Sequence, residues 1–199
     1  MHFDGKKIGF TNGLLSHYEK DSKILLDKPM NFTIYRAPID NDGVVGWSER
    51  WITKWHHSFL RYFEFITLKT YAEKQNDCVI VKTFGKWTPI SKFTGFDIEL
   101  TYTITADGNI ITNIHATPYG GFQDALPRIG VFFTMNKEFD DVVWYGRGED
   151  ENYSDRKAHC NFGLYQKPVS DMNFIYDVPQ ECGTRIDPNL CVTLSTPTT

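Results

Sequence analysis

No run in the sequence approaches the ~18 consecutive apolar residues of a membrane span. The opening Met1-His2-Phe3-Asp4-Gly5-Lys6-Lys7 also lacks the apolar stretch of a signal peptide. Both absences predict a chain outside the membrane and the secretory route, in the cytoplasm. Clustered Lys/Arg runs are missing as well: 21 basic residues stand against 25 acidic ones, a formal charge of -4, which leaves no basic footprint for nucleic acid. Cysteine is sparse. Cys78, Cys160, Cys182 and Cys191 show no CxxC spacing, and a chain of 199 residues can bury a core without disulfide staples, so reduced thiols are expected. The six histidines have no metal-ligand spacing, because His56 and His57 are adjacent and point different ways on a helix while His159 stands apart; no metal site is expected. Gly146-Arg147-Gly148 starts like a dinucleotide loop, but Glu151 occupies the place of the third glycine and no βαβ pattern surrounds it. There is no G-x-S-x-G elbow. Two Asn-x-Ser/Thr triplets, at Asn31 and Asn152, carry no weight without a secretory route.

What is present is an ordinary globular composition, 41% hydrophobic and 23% charged with 15 Gly and 9 Pro, which excludes disorder and collagen-like repeats. No internal repeat, Ser-rich linker or compositional break divides it, so one domain is expected over residues 1–199. The aromatic fraction is high, 15%. Such rings suit half-buried sheet surfaces and also stack on sugars; the sheet reading is taken here.

From Phe96 to Thr105 apolar and polar residues alternate without a break, which puts Phe96, Ile98, Leu100, Tyr102 and Ile104 on one face of a strand. Ala106-Asp107-Gly108-Asn109 then supplies a turn, and Ile110 to Ala116 returns as the second arm of a β-hairpin. Asp4-Gly5, Asn12-Gly13, Asp42-Gly43 and Thr94-Gly95 mark further turns between β-prone stretches at 14–18, 32–36, 78–84, 129–135 and 142–145. Repeated strand and turn predicts an all-β sandwich or barrel. The exception is Trp47, Trp51, Trp55 and Phe59, which recur every fourth residue and predict a short helix whose aromatic face is a core seam rather than a sugar platform.

Glu149-Asp150-Glu151 with Asp155 is the densest carboxylate cluster, beside Arg147 and Arg156. A retaining glycosidase needs two carboxyl groups about 5 to 5.5 Å apart. The alternative reading, a salt-bridged loop on a sheet rim, is preferred here, with Arg147, Glu151, Asp155, Arg156, Glu181 and Arg185 expected to form hydrogen-bonded ion pairs. Arg36-Ala37-Pro38-Ile39-Asp40-Asn41-Asp42 is a proline-then-Asx turn, suited to hold a loop by side-chain-to-backbone bonds.

Three segments in this order, RAPxDND from Arg36, YGxGxxENYxDR from Tyr145 through Asn152 to Arg156, and PQExGxR from Pro179 to Arg185, closely resemble the C-terminal small-chain domain of glycoside hydrolase family 2 β-galactosidases. The resemblance runs from about Phe10 to Asp187. It implies an antiparallel supersandwich of the galactose mutarotase-like kind. It also implies a non-catalytic role, since the family's catalytic glutamates sit on a separate (β/α)8 barrel that this chain lacks. Catalytic residues are therefore expected on no position here. The partners implied are the barrel domain or large chain of an oligomeric β-galactosidase and a galactoside substrate; Mg and Na ligands are implied on other domains, with no cofactor in this chain. In the family the segment after RAPxDND resembles a mobile loop beside the galactose pocket, which here covers Asp40, Asn41, Asp42, Gly43, Val44, Val45 and Gly46. Glu149 replaces a frequent proline, Cys182 a frequent asparagine, and Gly43 follows the DND at once. No tryptophan here matches the family's pocket tryptophan, and the ending after Leu194 is unlike the family's continuation, as if truncated. An independent carbohydrate-binding module and the small subunit of a two-chain β-galactosidase are the alternatives.

Overall fold

The structure, a computed structural model, describes residues 2–3, 5–43, 50–91, 93–121 and 125–195, with backbone alone at 2, 3 and 27. Val44, Val45, Gly46 and Trp47 lie outside the described residues. The strands are β1 (His2–Phe3), β2 (Lys6–Thr11), β3 (Leu14–Lys20), β4 (Lys23–Thr33), β5 (Glu64–Gln75) and β6 (Cys78–Thr88). They continue as β7 (Gly95–Thr105), β8 (Ile110–Tyr119), β9 (Gly130–Met135), β10 (Asp141–Gly148), β11 (Asn161–Pro168) and β12 (Leu190–Leu194). Among the described residues the α-helix is α1 (Trp51–His57), and every paired strand is antiparallel. The fold class is all-β, as the alternating pattern predicts. The residues group into two compact units, one of 1–37 and 50–135, the other of 38–49 and 136–199.

The first unit is a two-sheet sandwich, with sheets ordered β1-β2-β3-β4-β9 and β5-β6-β7-β8. Its core follows from the period-2 pattern of β7. Leu100, Tyr102 and Ile104 are 0% exposed and Phe96 and Ile98 nearly so, while the intervening Asp97 and Glu99 face outward. Ile8, Leu14, Leu15, Leu26, Met30 and Phe32 of the other sheet complete the same cluster. Rings bridge the layers, with Phe10 edge-on to Tyr102 at 5.0 Å and Phe32 tilted on Trp87 at 5.3 Å. Burying one such side chain is worth about 1.5 to 3 kcal/mol, so this cluster is the main source of stability in the unit.

Local turn chemistry sets the registers. Thr11 pairs with Leu14, and Asn12 and Gly13 between them both have positive φ, 49° and 71°, the conformation of a two-residue type I′ hairpin turn. β7 and β8 form the expected hairpin. Its loop is held by the amide of Gly108 donating to Thr105 O at 2.9 Å and by the Asp107 carboxylate, which accepts from the Asn109 side chain at 2.7 Å.

Three expectations differ from what is seen. The strand expected over 32–36 is instead β4, which ends at Thr33 because its neighbour β9 starts at the opposing Gly130 and offers no partner beyond. The helix expected from Trp47 through Phe59 is described only as α1: Ser58 caps it and Phe59 turns left-handed at φ 55° into a 3-10 turn. Trp55 is buried, with its indole N–H donating to Ala125 O at 3.0 Å, and Trp51 packs on the core, but Phe59 is exposed. Trp51 and Trp55 therefore form the expected core seam, and Phe59 falls outside it because the helix ends before it. β5 and β11 lie outside the β-prone stretches of the sequence, because edge strands with mostly exposed residues show no apolar alternation.

Tyr102 gives this core a pH dependence. Its hydroxyl accepts the Leu15 amide at 3.2 Å and donates to Met30 Sδ at 3.8 Å, and burial pushes its pKa up to about 12 from 10.0, opposed by the Leu15 hydrogen bond. A folded pKa above the unfolded one contributes stability that is complete below pH 10 and lost as pH rises through 12. The expected loss is about 2 kcal/mol across that window. Urea unfolding at pH 9 and pH 11 checks it: the fall should be markedly smaller in Tyr102→Phe, and an equal fall would contradict it.

Candidate functional site

In the second unit β10 is the central strand of the sheet β11-β10-β12. It carries Tyr145, Gly146, Arg147 and Gly148, and the connection from Glu149 to Cys160 joins it to β11. Gly146 and Gly148, which begin the failed dinucleotide pattern, have a packing reason: a Cβ would lie 2.9 Å from Pro188 Cα at the first and 2.6 Å from the Tyr165 ring at the second. Trp144, buried on the same face, donates its indole N–H to Arg147 O at 3.0 Å and carries the Arg185 guanidinium over its ring at 5.0 Å.

Asn152 knits this unit together. Wholly buried, it donates its amide to Thr184 O at 2.8 Å, its side-chain oxygen accepts the Ile186 amide at 2.9 Å, and its side-chain nitrogen donates to Asp150 O at 3.2 Å. A side chain so enclosed cannot accept a glycan. Beyond it, Tyr153 and Arg156 exchange two backbone hydrogen bonds of 3.0 Å, closing a turn that exposes Ser154 and Asp155.

Most of the expected rim charges find a partner, each of its own kind; Asp155 is the exception, exposed at the tip of that turn with no ion pair among the described residues, because the tip faces water. Glu151, with its side chain 5% exposed, pairs with Arg156 at 2.6 Å through Oε1, which also accepts the Tyr176 hydroxyl. Arg147 pairs with Asp187 at 3.0 Å and lies over Phe162. Arg185 donates to the carbonyls of Met172 and Gly183 at 2.8 and 2.9 Å rather than to a carboxylate within ion-pair distance among the described residues. Burial pulls its guanidinium below the usual pKa, opposed by the nearby charges of Glu151 and Asp150. Glu181 accepts from Thr184 at 3.2 Å. Glu149 and Asp150 lie 3.4 and 3.8 Å from Lys167. The Tyr176 phenol is pushed up, first by desolvation and then by its bond to Glu151.

The proline-then-Asx segment straddles the two units. Arg36 belongs to the first, where it lies over Trp55 at 5.4 Å. From Pro38 the chain belongs to the second unit. Asp40–Asp42 is a 3-10 turn in which the buried Asp42 carboxylate accepts the Ile39 amide at 2.8 Å and Asp40 Oδ1 accepts the Asn41 amide at 2.8 Å. Gly43 ends it at φ 97°, a left-handed conformation that disfavours any residue with a Cβ. The Asp40 amide donates to Pro179 O at 2.9 Å.

These pieces meet at a cleft of about 370 Å³ lined by Ile39, Asp40, Asn41, Tyr153, Asp155, Arg156, Gln180 and Glu181. Carboxylates that accept, carboxamides that both donate and accept, and an aromatic ring suit a ligand rich in hydroxyl groups. Tyr153, Gln180 and Tyr176 were not singled out from the sequence, although the first two lie inside quoted motifs. Tyr176 lies 25 positions from its partner Glu151, beyond any local signal. Among the described residues no group of three or more His, Cys, Asp or Glu is placed to hold a metal ion, and no helix is long and apolar enough to cross a membrane.

The family described as "Beta galactosidase small chain" matches residues 5–195 of this chain. The chain belongs to that family. Similar curated proteins are the beta-galactosidase of Actinobacillus pleuropneumoniae, 29% identical over 178 residues (86% of this chain, 16% of that protein), and that of Pseudoalteromonas haloplanktis, 27% identical over 187 residues (88% and 17%). The beta-galactosidase of Priestia megaterium is 40% identical over 88 residues, 44% of this chain and 8% of its own length. The chain thus spans about a sixth of the length of the curated relatives it matches over most of its length. The region it represents in them is the small-chain segment of a larger protein.

Proposed function

We propose that this chain, both units together, is one non-catalytic domain of a β-galactosidase and walls the sugar pocket of the parent enzyme. In the parent, a pair of carboxylates on another domain would hydrolyse terminal β-galactosides such as lactose by the retaining route. The observation that carries the reading is the polar cleft where the Asp40–Asp42 turn, the Tyr153 to Arg156 turn and Gln180-Glu181 come together, offering donors and acceptors for hydroxyls. The partner is a catalytic barrel, on the same polypeptide or on a separate large chain, in an oligomeric enzyme. The Mg and Na ligands of such an enzyme belong to its other domains. The four cysteines are free thiols, which supports a cytoplasmic setting.

The turn that ends at Gly43 is the start of a gate beside that pocket. The test has two arms. The purified chain is expected to show no turnover of a chromogenic β-galactoside, and in the intact parent Gly43→Ala is expected to change kcat and KM together by more than about twofold. Turnover by the isolated chain, abolished in Glu151→Gln or Glu181→Gln, would refute the non-catalytic role. Kinetics unmoved in the Gly43 variant would remove the gate.

A further inference from the structure

We infer that Glu151 is a positioning residue that sets the Asp40-Asn41 side of the cleft from a distance, through Tyr176 and Pro179. The inference rests on the reading of the cleft as a sugar wall, and it concerns a side chain that is not among those lining the cleft.

The chain of contacts is continuous. Glu151 Oε1 holds two groups at once, the Arg156 guanidinium at 2.6 Å and the Tyr176 hydroxyl. Arg156 in turn lies over the Tyr176 ring at 4.9 Å and reaches Gln180 Oε1 at 3.5 Å. Carboxylate, guanidinium and phenol therefore clamp the segment from Tyr176 to Gln180 at both ends. Between those ends sits Pro179, whose carbonyl accepts the Asp40 amide at 2.9 Å. That bond ties the Asp40–Asp42 turn to the clamped segment, while the Asp42 carboxylate on Ile39 and the Gly43 amide on Asp40 O at 3.2 Å keep the turn itself rigid. A rigid turn hung on a clamped strap goes where the strap goes.

Burial explains why Glu151 dominates. Its side chain is 5% exposed, and its second oxygen, Oε2, is buried with no hydrogen-bond partner among the described residues. A buried carboxylate so placed depends on the two donors it has, because losing either leaves charge uncompensated in a poorly solvated site. The Tyr176 and Arg156 donors are correspondingly held in place. On a solvated carboxylate the same two contacts would exchange with water and transmit little.

Amide exchange of the ¹⁵N-labelled chain, read residue by residue, tests the coupling. Tyr176→Phe removes one hydroxyl and keeps the ring. It should speed exchange at the Asp40 amide at least tenfold while the paired Tyr145 and Leu164 amides of β10 and β11 stay within twofold. Arg156→Lys, which keeps the charge, is the second variant should the first fail to fold, and it should speed Asp40 exchange by a smaller factor. Asp40 exchange within twofold of the parent chain, or an equal rise at Tyr145 and Leu164, would overturn the inference. In the intact parent enzyme Tyr176→Phe should raise KM for a galactoside at least threefold with kcat within twofold. Fast Asp40 exchange with an unmoved KM would sustain the coupling and remove the sugar-wall reading instead.

Discussion

Replacing Asn152 by alanine is expected to destabilise the chain by about 3 kcal/mol. The carboxamide is wholly enclosed and joins its own loop to a distant stretch: it accepts from Ile186, 34 positions on, through its oxygen, and donates to the nearby carbonyls of Asp150 and Arg147 through its nitrogen at 3.2 and 3.5 Å. Truncation leaves the Ile186 amide and two carbonyls without their partner and opens a small cavity. Each orphaned buried group costs about 1 to 3 kcal/mol, less whatever water recovers. With a slope near 2 kcal/mol per molar, the urea midpoint should fall by about 1.5 M. Asn152→Asp sharpens the test. Its carboxylate would face carbonyls, so its folded pKa would be raised, and the variant should be most stable in acid and weaken as pH rises through that pKa. A midpoint shift under about 0.5 M for the alanine variant would show that the carboxamide is not what joins these stretches.

Gly13→Ala is the second large effect, again about 3 kcal/mol, from two sources that add. Gly13 has φ 71°, where a side chain costs about 1 to 2 kcal/mol. Its added Cβ would also stand 2.5 Å from Thr70 Oγ1 and from both branches of Thr83. Those neighbours are not free to yield: Thr83 is wholly buried, donates to Gly13 O at 2.9 Å and shares a 3.1 Å hydrogen bond with Thr70. The methyl would push one sheet of the sandwich off the other at its turn. Gly121→Ala is the internal control, since Gly121 has φ 72° with no atom of the described residues within 4 Å of its added Cβ, leaving about 1 kcal/mol of backbone cost. Equal losses at the two positions would show that conformation, and not the close approach of the sheets, makes Gly13 necessary.

The sandwich was legible where one face of a strand is buried and the other solvated. β7 shows this best, because burial on alternate residues forces the alternation of apolar and polar side chains. The Asn12-Gly13 turn was legible for a different reason: positive φ at two successive positions is costly for most residue types. Edge strands such as β5, with little to bury, left no such trace. Family membership was carried by three motifs in order, and the Trp51 and Trp55 part of the aromatic stripe was readable as core from its spacing.

The cleft was legible only in part. The Asx turn at Asp40–Asp42 is a local hydrogen-bond pattern, and short polar side chains announce it. The partner of each charge is another matter. Arg147 is closed by Asp187 forty positions on, Glu151 by Tyr176 twenty-five positions on, and Arg185 by carbonyls and the Trp144 ring.

By itself, then, the sequence determined the strand faces, the tight turns, the all-β class and the family, since each depends on residues adjacent in the chain or on a motif written in order. The tertiary structure alone decided which distant partners the charges find, that Glu151 rather than Asp155 is buried, and that Trp55 is what Arg36 lies over. The reason is physical: a charged group takes whatever complementary donor or acceptor lies near, and for the distant partners that depends on how segments twenty to forty residues apart are folded together.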